Sequence, residues 1–356
     1  MEIRRFFGAR ASEDELRRCH GLYVESIRQT FPGFPPQSLA GYVATLRAGH
    51  LAGVGPRHAW AAWERDRLIG LGLVVYPEQH TPDWAMPRVF VDHSHRRRGV
   101  GTALLRELVA DARAQGRTTL GSDQVRLGTE AEQWAIASGF VNTLSNCWQM
   151  LHVADVDRAR WDVPVPAGFR LERWAGASPE SLVSAFAAAR NAIDDAPHGE
   201  STFRMPEWTV ERVRQAEADL REAGDDSRFV VAVHEETGAV AALTGMVLRP
   251  GRLDLCWQRD TAVVARFRGL GLGRVVKAAM MRGLIAEFPE LGRIVTNTAA
   301  DNAYMIRVNE QIGYVHYADI GMFEASVEAV GAALGMSANT NIPGPRREPA
   351  RELEGA

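Results

Sequence analysis

Cysteine is scarce in this chain. Cys19, Cys147 and Cys256 are the only three in 356 residues. An odd number at distant positions disfavours a disulfide framework or a thiolate metal site, and fits a reducing cytosol. Long apolar runs are also missing. The longest, Leu68 to Tyr76, is about half the ~18 residues that a membrane span requires. The opening Met-Glu-Ile-Arg-Arg lacks the apolar core of a secretion signal, so a cytoplasmic protein without a membrane partner is expected. No charge of one sign dominates: 41 Lys and Arg face 44 Asp and Glu, a formal net charge of −3. Such a balance gives no general attraction to nucleic acid or anionic lipid, so basic clusters must be judged locally.

The chain has ample apolar material and an internal repeat. Hydrophobic residues make up 46% and charged residues 24%, a globular composition, and the length suits two domains of about 150 residues. A short strand at Ile3–Phe7 precedes a capping box, Ser12-Glu13-Asp14-Glu15. Similar text returns at Phe169–Trp174 and at Ser178-Pro179-Glu180, with Pro179 at the favoured first helical position. A hairpin follows in each half, from His58 to Val75 and from Phe229 to Leu248. Next come a strand, a glycine-rich turn and a helix. Another strand and helix end in Gly139-Phe140 or Gly313-Tyr314, and a final strand closes each unit, Ser145–Val153 and His316–Glu324. Four features recurring in one order read as a duplication.

The expected fold is α/β of the α+β type, two tandem units, each a mixed, mostly antiparallel sheet flanked by helices. Expected boundaries are 1–155 for the first domain, 156–167 for a Pro-rich linker, 168–330 for the second domain and 331–356 for a disordered tail. The halves diverge most at Thr30–Pro36 and at Asn191–Glu200, which is where a substrate side would differ while the scaffold stays constant.

The repeated turn carries the chemistry. Arg96, Gly99 and Gly101 recur as Arg268, Gly271 and Gly273, a constant 172 residues later. Glycines permit a sharp turn and close approach, and the amides at a helix N-terminus attract an anion. Arg97 and Arg98 add positive charge in the first copy, Gly269 and Arg274 extend the second. Such a cradle suits a pyrophosphate. The spacing is neither the dinucleotide fingerprint nor a Walker loop.

Arg96-Arg-Arg-Gly99-Val-Gly101 and Arg268-Gly-Leu-Gly271-Leu-Gly273, each after a strand, resemble the acyl-CoA-binding motif of the GNAT superfamily of N-acetyltransferases. Gly139-Phe140 and Gly313-Tyr314 stand where that family places its Gly-Phe. The resemblance covers roughly residues 1–155 and 168–325, and implies a tandem GNAT architecture similar to that of mycothiol synthase. It implies acetyl-CoA or another acyl-CoA as co-substrate and no metal. The pantetheine arm would pair with backbone at Val89 and Val91, and at Ala262 to Val264 around Val263. The diphosphate would rest on amides from Arg97 through Val100 to Thr102, or from Gly269 to Arg274. Thr298–Tyr314, with Asn302, resembles the family's second motif.

In that family a small-molecule amine attacks the thioester directly, helped by a base and by an acid for the leaving thiolate. The family's tyrosine, four residues before the Gly of Gly-Phe, is replaced here by Ala135 and Asn309. Asn309 and Tyr304, on one helix, are the candidate donors. Asp260, with Asp254 beside it, is the candidate base of the second half; Asp83, Glu78 and His80 are those of the first. Asp194, Asp195 and His198 form an acidic loop able to recognise a cationic substrate. The second half keeps Asn302 and an acidic strand residue, so the chemistry is expected there. Two other readings stay open: an aminoacyl transferase using charged tRNA, which the net charge disfavours, and a non-catalytic acyl-CoA-binding protein.

Overall fold

The computed structural model describes residues 1–51, 54–78, 81–204, 207–249 and 254–337. The candidate base His80 and the part of the expected tail after residue 337 lie outside them.

The first half contains β1 (Glu2–Arg5), α1 (Glu13–Thr30), α2 (Leu39–Ala48), β2 (His50–Leu51), β3 (Gly55–Glu64), β4 (Arg67–Val75) and β5 (Trp84–Val91). It continues with α3 (Val100–Ala114), β6 (Thr119–Arg126), α4 (Glu130–Ala137) and β7 (Val141–His152). The second contains β8 (Phe169–Ala175), α5 (Val183–Arg190), α6 (Val210–Glu222), β9 (Asp226–His234), β10 (Val240–Leu248) and β11 (Leu255–Val263). It ends with α7 (Leu272–Glu287), β12 (Arg293–Ala299), α8 (Ala303–Ile312), β13 (Val315–Ser326) and α9 (Val327–Ala333).

Local signals explain most helix starts. Ser12 accepts from the Glu15 amide while Glu15 accepts from the Ser12 amide, a complete capping box at α1. Ser38 and Thr209 cap α2 and α6. The helix expected to open at Pro179 does not start there. Ser178 gives its amide and hydroxyl to Glu217 of α6, and α5 starts only at Val183. A tertiary carboxylate has outcompeted the local cap.

One sheet runs β1-β3-β4-β5-β6-β13-β7-β12-β11-β10-β9-β8, with β2 beside β3. Its described pairs are antiparallel except β5–β6 and β11–β12. The order corrects one expectation: the final strand does not close its own unit. β13 lies between β6 and β7 of the first half, and β7 lies between β12 and β13 of the second. Each half leaves a slot beside its fifth long strand and fills the other's. From Asn146 to Leu151, β7 is buried on both faces, as a central strand should be.

The segments after the two final strands cross over too. After β7, Trp161 is 1% exposed inside the second core and donates to Ile312 O at 2.8 Å. The expected linker is therefore docked along part of its length. After β13, helix α9 packs on α3, with Arg106 bonding Leu334 O and Arg113 pairing with Glu328. Residues 331–337 thus belong to a packed element rather than to a tail.

The two divergent loops also act as clasps. Phe31 and Phe34, after α1, pack against Trp148, Trp257 and Tyr317 around the joint strands. Arg293 holds Gly33 O at 2.6 Å. After α5, Ser201 and Thr202 bond the buried Glu324 carboxylate, and Phe203 meets Trp84 edge-on. Helices α3 and α7 cover one face of the sheet, and α1, α2, α5 and α6 the other.

Candidate active site

Both halves open a wedge in the sheet. β5 pairs with β6 only at Trp84 and Ala85, so its backbone from Met86 to Val91 is unpaired on that side. β11 pairs with β12 only from Leu255 to Trp257, leaving Gln258 to Val263 open. An unpaired strand edge inside a protein offers hydrogen-bonding groups to an extended ligand. Val89 and Val91, and Ala262 to Val264 with Val263, stand along these two edges.

Each wedge ends at a cradle of the same backbone shape. Arg97 and Gly99 have φ of 61° and 81°, and Gly269 and Gly271 have 81° and 75°. Gly99 and Gly271 are the N-caps of α3 and α7, and no side chain caps either helix. The first helical bond of α3 runs from Ala103 N–H to Gly99 O, so the amides of Val100, Gly101 and Thr102 precede the ladder and face an anion's position. Space is not what demands glycine at 99, 269 or 271, since a Cβ there meets nothing within 4 Å. The left-handed φ favours it, although Arg97 adopts the same region at the place that Gly269 holds in the second half.

The arginines divide between ligand and scaffold. Arg97 and Arg98 are exposed beside the first cradle, while Arg96 stands 4.0 Å from Glu130. Arg268 bonds Val263 O and pairs with Asp195. Arg274 carries a buried Nε without a partner. The first wedge is narrowed by Trp134 of α4, whose ring would lie 3.5 Å from a Cβ on Gly101. Val308 takes the corresponding place in α8, and the nearest group to a Cβ on Gly273 is Val263, at 3.5 Å. On the α1 face of the first half, a groove of about 630 Å³ lies between α1, the turn at 64–68 and Val91–Arg96.

The expected catalytic trio is dispersed. Asp260 sits in a bulge, because Thr244 faces Thr261 while Met246 faces Gln258, leaving one extra residue on β11. The bulge turns Asp260 towards α5, where Arg190 reaches it at 3.2 Å. Burial pushes the Arg190 guanidinium down from its ordinary value, against the attraction of Asp260. Arg190 also lies 3.2 Å over the Trp208 ring, which Arg212 covers from 4.3 Å. Burial likewise lowers Arg212, opposed by Asp194. Asn309 is fully buried, and its amide donates to Gln149 at 2.8 Å and Thr298 at 3.2 Å. Both N–H groups are committed and only Oδ1 is open, so this geometry leaves Asn309 no donor for a thiolate. Tyr304 is 51% exposed on the outer side of the same helix and does not meet it.

Other expected residues are engaged in structure. Asn302 caps α8 through the Met305 amide. His198 contacts Asp194 O at 2.8 Å, and Asp195 neutralises Arg268. The acidic loop therefore meets the cradle rather than forming an open cation site. Of the remaining base candidates, Asp83 is exposed and receives Thr118 and Thr119 amides at its carbonyl. Asp254 pairs with Arg293 at 3.7 Å. Cys147, His316 and Asp319 bring one donor atom each within 4.8 Å. Burial, then Asp319, pushes the Cys147 thiol up, against the thiolate that a metal needs.

Residues 23–142 match the model of the Acetyltransferase (GNAT) family. Over the whole chain, a tandem GNAT protein from the clavulanic acid biosynthesis pathway, solved without AcCoA, has the same fold. Its TM-score is 0.75 at 23% identity, covering 92% of this chain and 98% of that one. The chain has the fold of a tandem GNAT protein, and its residues 23–142 match the GNAT family. A GCN5-related N-acetyltransferase from Sphaerobacter thermophilus is similar in fold, with a TM-score of 0.66 at 13% identity over 92% and 95% of the two chains. No curated protein matches the sequence. The match over residues 23–142 supports a transferase of the acyltransferase kind, and no described helix is long and apolar enough to cross a membrane.

Sequence reading missed Arg190, Trp208 and the polar interior around Lys277. Only Lys277 left a signal, a lone charge inside the apolar run Val275-Val-Lys-Ala-Ala-Met280.

Proposed function

We propose that this tandem GNAT protein is an acyl-CoA-dependent N-acyltransferase, that acetyl-CoA is its donor, and that the second half carries out transfer to a small amine. The observation that carries this reading is the bulge on β11. It coincides with the open strand edge of the wedge and turns a carboxylate, Asp260, to the face of the sheet opposite α7. The first half has no such bulge, since β4 and β5 pair without a shift, and Trp134 narrows its wedge.

The acyl-CoA would lie with its diphosphate on amides from Gly269 to Arg274 and its pantetheine along Gln258 to Val263. The amine arrives from the α5 and α6 face, beside Arg190 and Trp208. Its lone pair attacks the thioester carbon, the C–N bond forms and the C–S bond breaks. Asp260 takes the proton released by the amine, and the thiolate is protonated from solvent. Proton removal of this kind contributes about 10²–10⁴-fold. The first half binds acyl-CoA in its own cradle and supports the second through the exchanged strands.

Asp260→Asn tests the assignment. Turnover with an amine accepted by the wild type, followed by thiol release, should fall at least about 100-fold while acetyl-CoA affinity changes less than about threefold. Equal turnover removes Asp260 as the base. The non-catalytic reading has one observation in its favour, the committed donors of Asn309. Binding of acetyl-CoA without thiol release across a panel of amines, aminoglycosides and amino acids would favour it.

A further inference from the structure

Lys277 of α7 is 1% exposed and has no carboxylate partner among the described residues. Its Nζ donates to Gln258 Oε1, and the Tyr314 hydroxyl donates to the same oxygen at 2.6 Å. Two donors on one oxygen fix the Gln258 amide, so its Nε2 points to Thr244 Oγ1 at 2.8 Å. Thr244 in turn shares a hydrogen bond of 2.8 Å with Thr261. Gln258 and Thr261 are the residues on either side of the Arg259–Asp260 bulge. The cluster therefore ties the two ends of the bulge together on the α7 face, while Asp260 leaves on the other.

The first half has none of this. At the equivalent register stand Gly72 for Thr244, Pro87 for Gln258, Val89 for Thr261, Leu105 for Lys277 and Phe140 for Tyr314. No polar side-chain atom is present among them, and the strand is regular. Bulge, buried polar cluster and carboxylate occur together in one half only. An apolar core would be the cheaper solution, because a buried amine costs free energy unless something requires it.

We propose that Lys277 is a positioning residue: through Gln258 it holds the β11 bulge, and so the direction of Asp260, in the working half. The inference rests on the second-half assignment above. Burial also lowers the Lys277 ammonium from 10.5 to about 7. The titratable groups facing it are Tyr314 and, behind that ring, Cys256, both pushed up by burial, so neither is ionised near neutrality. The amine therefore changes charge against Gln258 alone.

The test is Lys277→Met in the full chain, with Tyr314→Phe as the milder variant that removes only one donor. Lys277→Met should still bind acetyl-CoA at the first cradle, and any loss of affinity at the second should be smaller than the loss in kcat. Its kcat should fall at least about tenfold, and an inflection near pH 7 in the wild-type kcat profile should vanish. Combined with Asp260→Asn, it should cost nothing beyond Asp260→Asn alone, as expected when one residue acts through the other. Full additivity, or an unchanged profile, overturns the proposal. A crystal structure of Lys277→Met separates the two readings. An intact bulge with Asp260 still on Arg190 overturns this inference whatever turnover does, whereas a lost bulge with Asp260→Asn fully active retains it and rejects only the base. If Lys277→Met does not fold, the same structural and kinetic outcomes are read from Tyr314→Phe.

Discussion

Gly271 and Lys277 stand six residues apart, and each is held by a different physical constraint. Gly271 has φ of 75° with open space where a Cβ would sit, so a side chain there is penalised by conformation alone. Forcing a non-glycine residue into that region costs about 1–2 kcal/mol, more for a β-branched one. Gly271→Val is therefore expected to abolish acetyl-CoA binding at the second cradle while the first retains it, halving the stoichiometry seen by calorimetry. A stoichiometry still at two would refute a second cradle. Lys277 gives a stability signature. Its folded value lies near 7 against 10.5 for an exposed lysine, so between those values the unfolded chain binds more protons. Stability must then rise with pH across that window, by up to about 1.4 kcal/mol per unit. Lys277→Met should be flat over the same range in urea titrations at pH 7 and 8.5. Above pH 9 the buried Cys256 and Tyr314 act in the opposite direction, since unfolding releases their protons, and comparison with the variant at each pH removes that contribution.

Among the elements, the segments outside the two repeats have the clearest role. Trp161 follows β7, fills the second core and bonds Ile312 O. Trp161→Ala is expected to cost about 3–5 kcal/mol and to show as an earlier urea midpoint with the acetyl-CoA cradles still formed. The segments 30–36 and 191–200 were expected to differ because they mark the substrate side. They differ at least partly because each grips the opposite half, through Phe34 on Trp257 and, just after the second segment, Phe203 on Trp84. These two tryptophans stand where the wedges begin.

For the whole molecule, the exchange of β7 and β13 makes the halves interdependent. A fragment of residues 1–166 keeps β6 and β7 but lacks the strand that lies between them. An unfilled slot exposes two strand edges, and a second copy can supply the missing strand. The fragment alone is expected to run as a dimer or to aggregate, and to form a monomeric complex when co-expressed with residues 167–356; light scattering on a size-exclusion column distinguishes these. A stable folded monomer would refute the interdependence.

The duplicated turn, the capping box at Ser12, both hairpins and the Gly-aromatic helix ends were legible in the sequence, because each depends on short-range rules: a φ that favours glycine, a cap three residues away, an alternation of period two. The cradles followed from them. The partners of Asp260, the committed donors of Asn309, the pairing of Asp195 with Arg268 and the crossing of the last strands were not legible. Each joins residues far apart in the chain, and a contact of that kind is selected by packing rather than by neighbours. Ser178 shows the limit most plainly, since its local text is that of a cap, yet Glu217 claims it. The sequence by itself determined two like units, each with a glycine turn at a helix N-terminus. Only the tertiary structure decided that the units share their strands and that one of them carries a bulge, because both depend on which long-range partners bury the same surface.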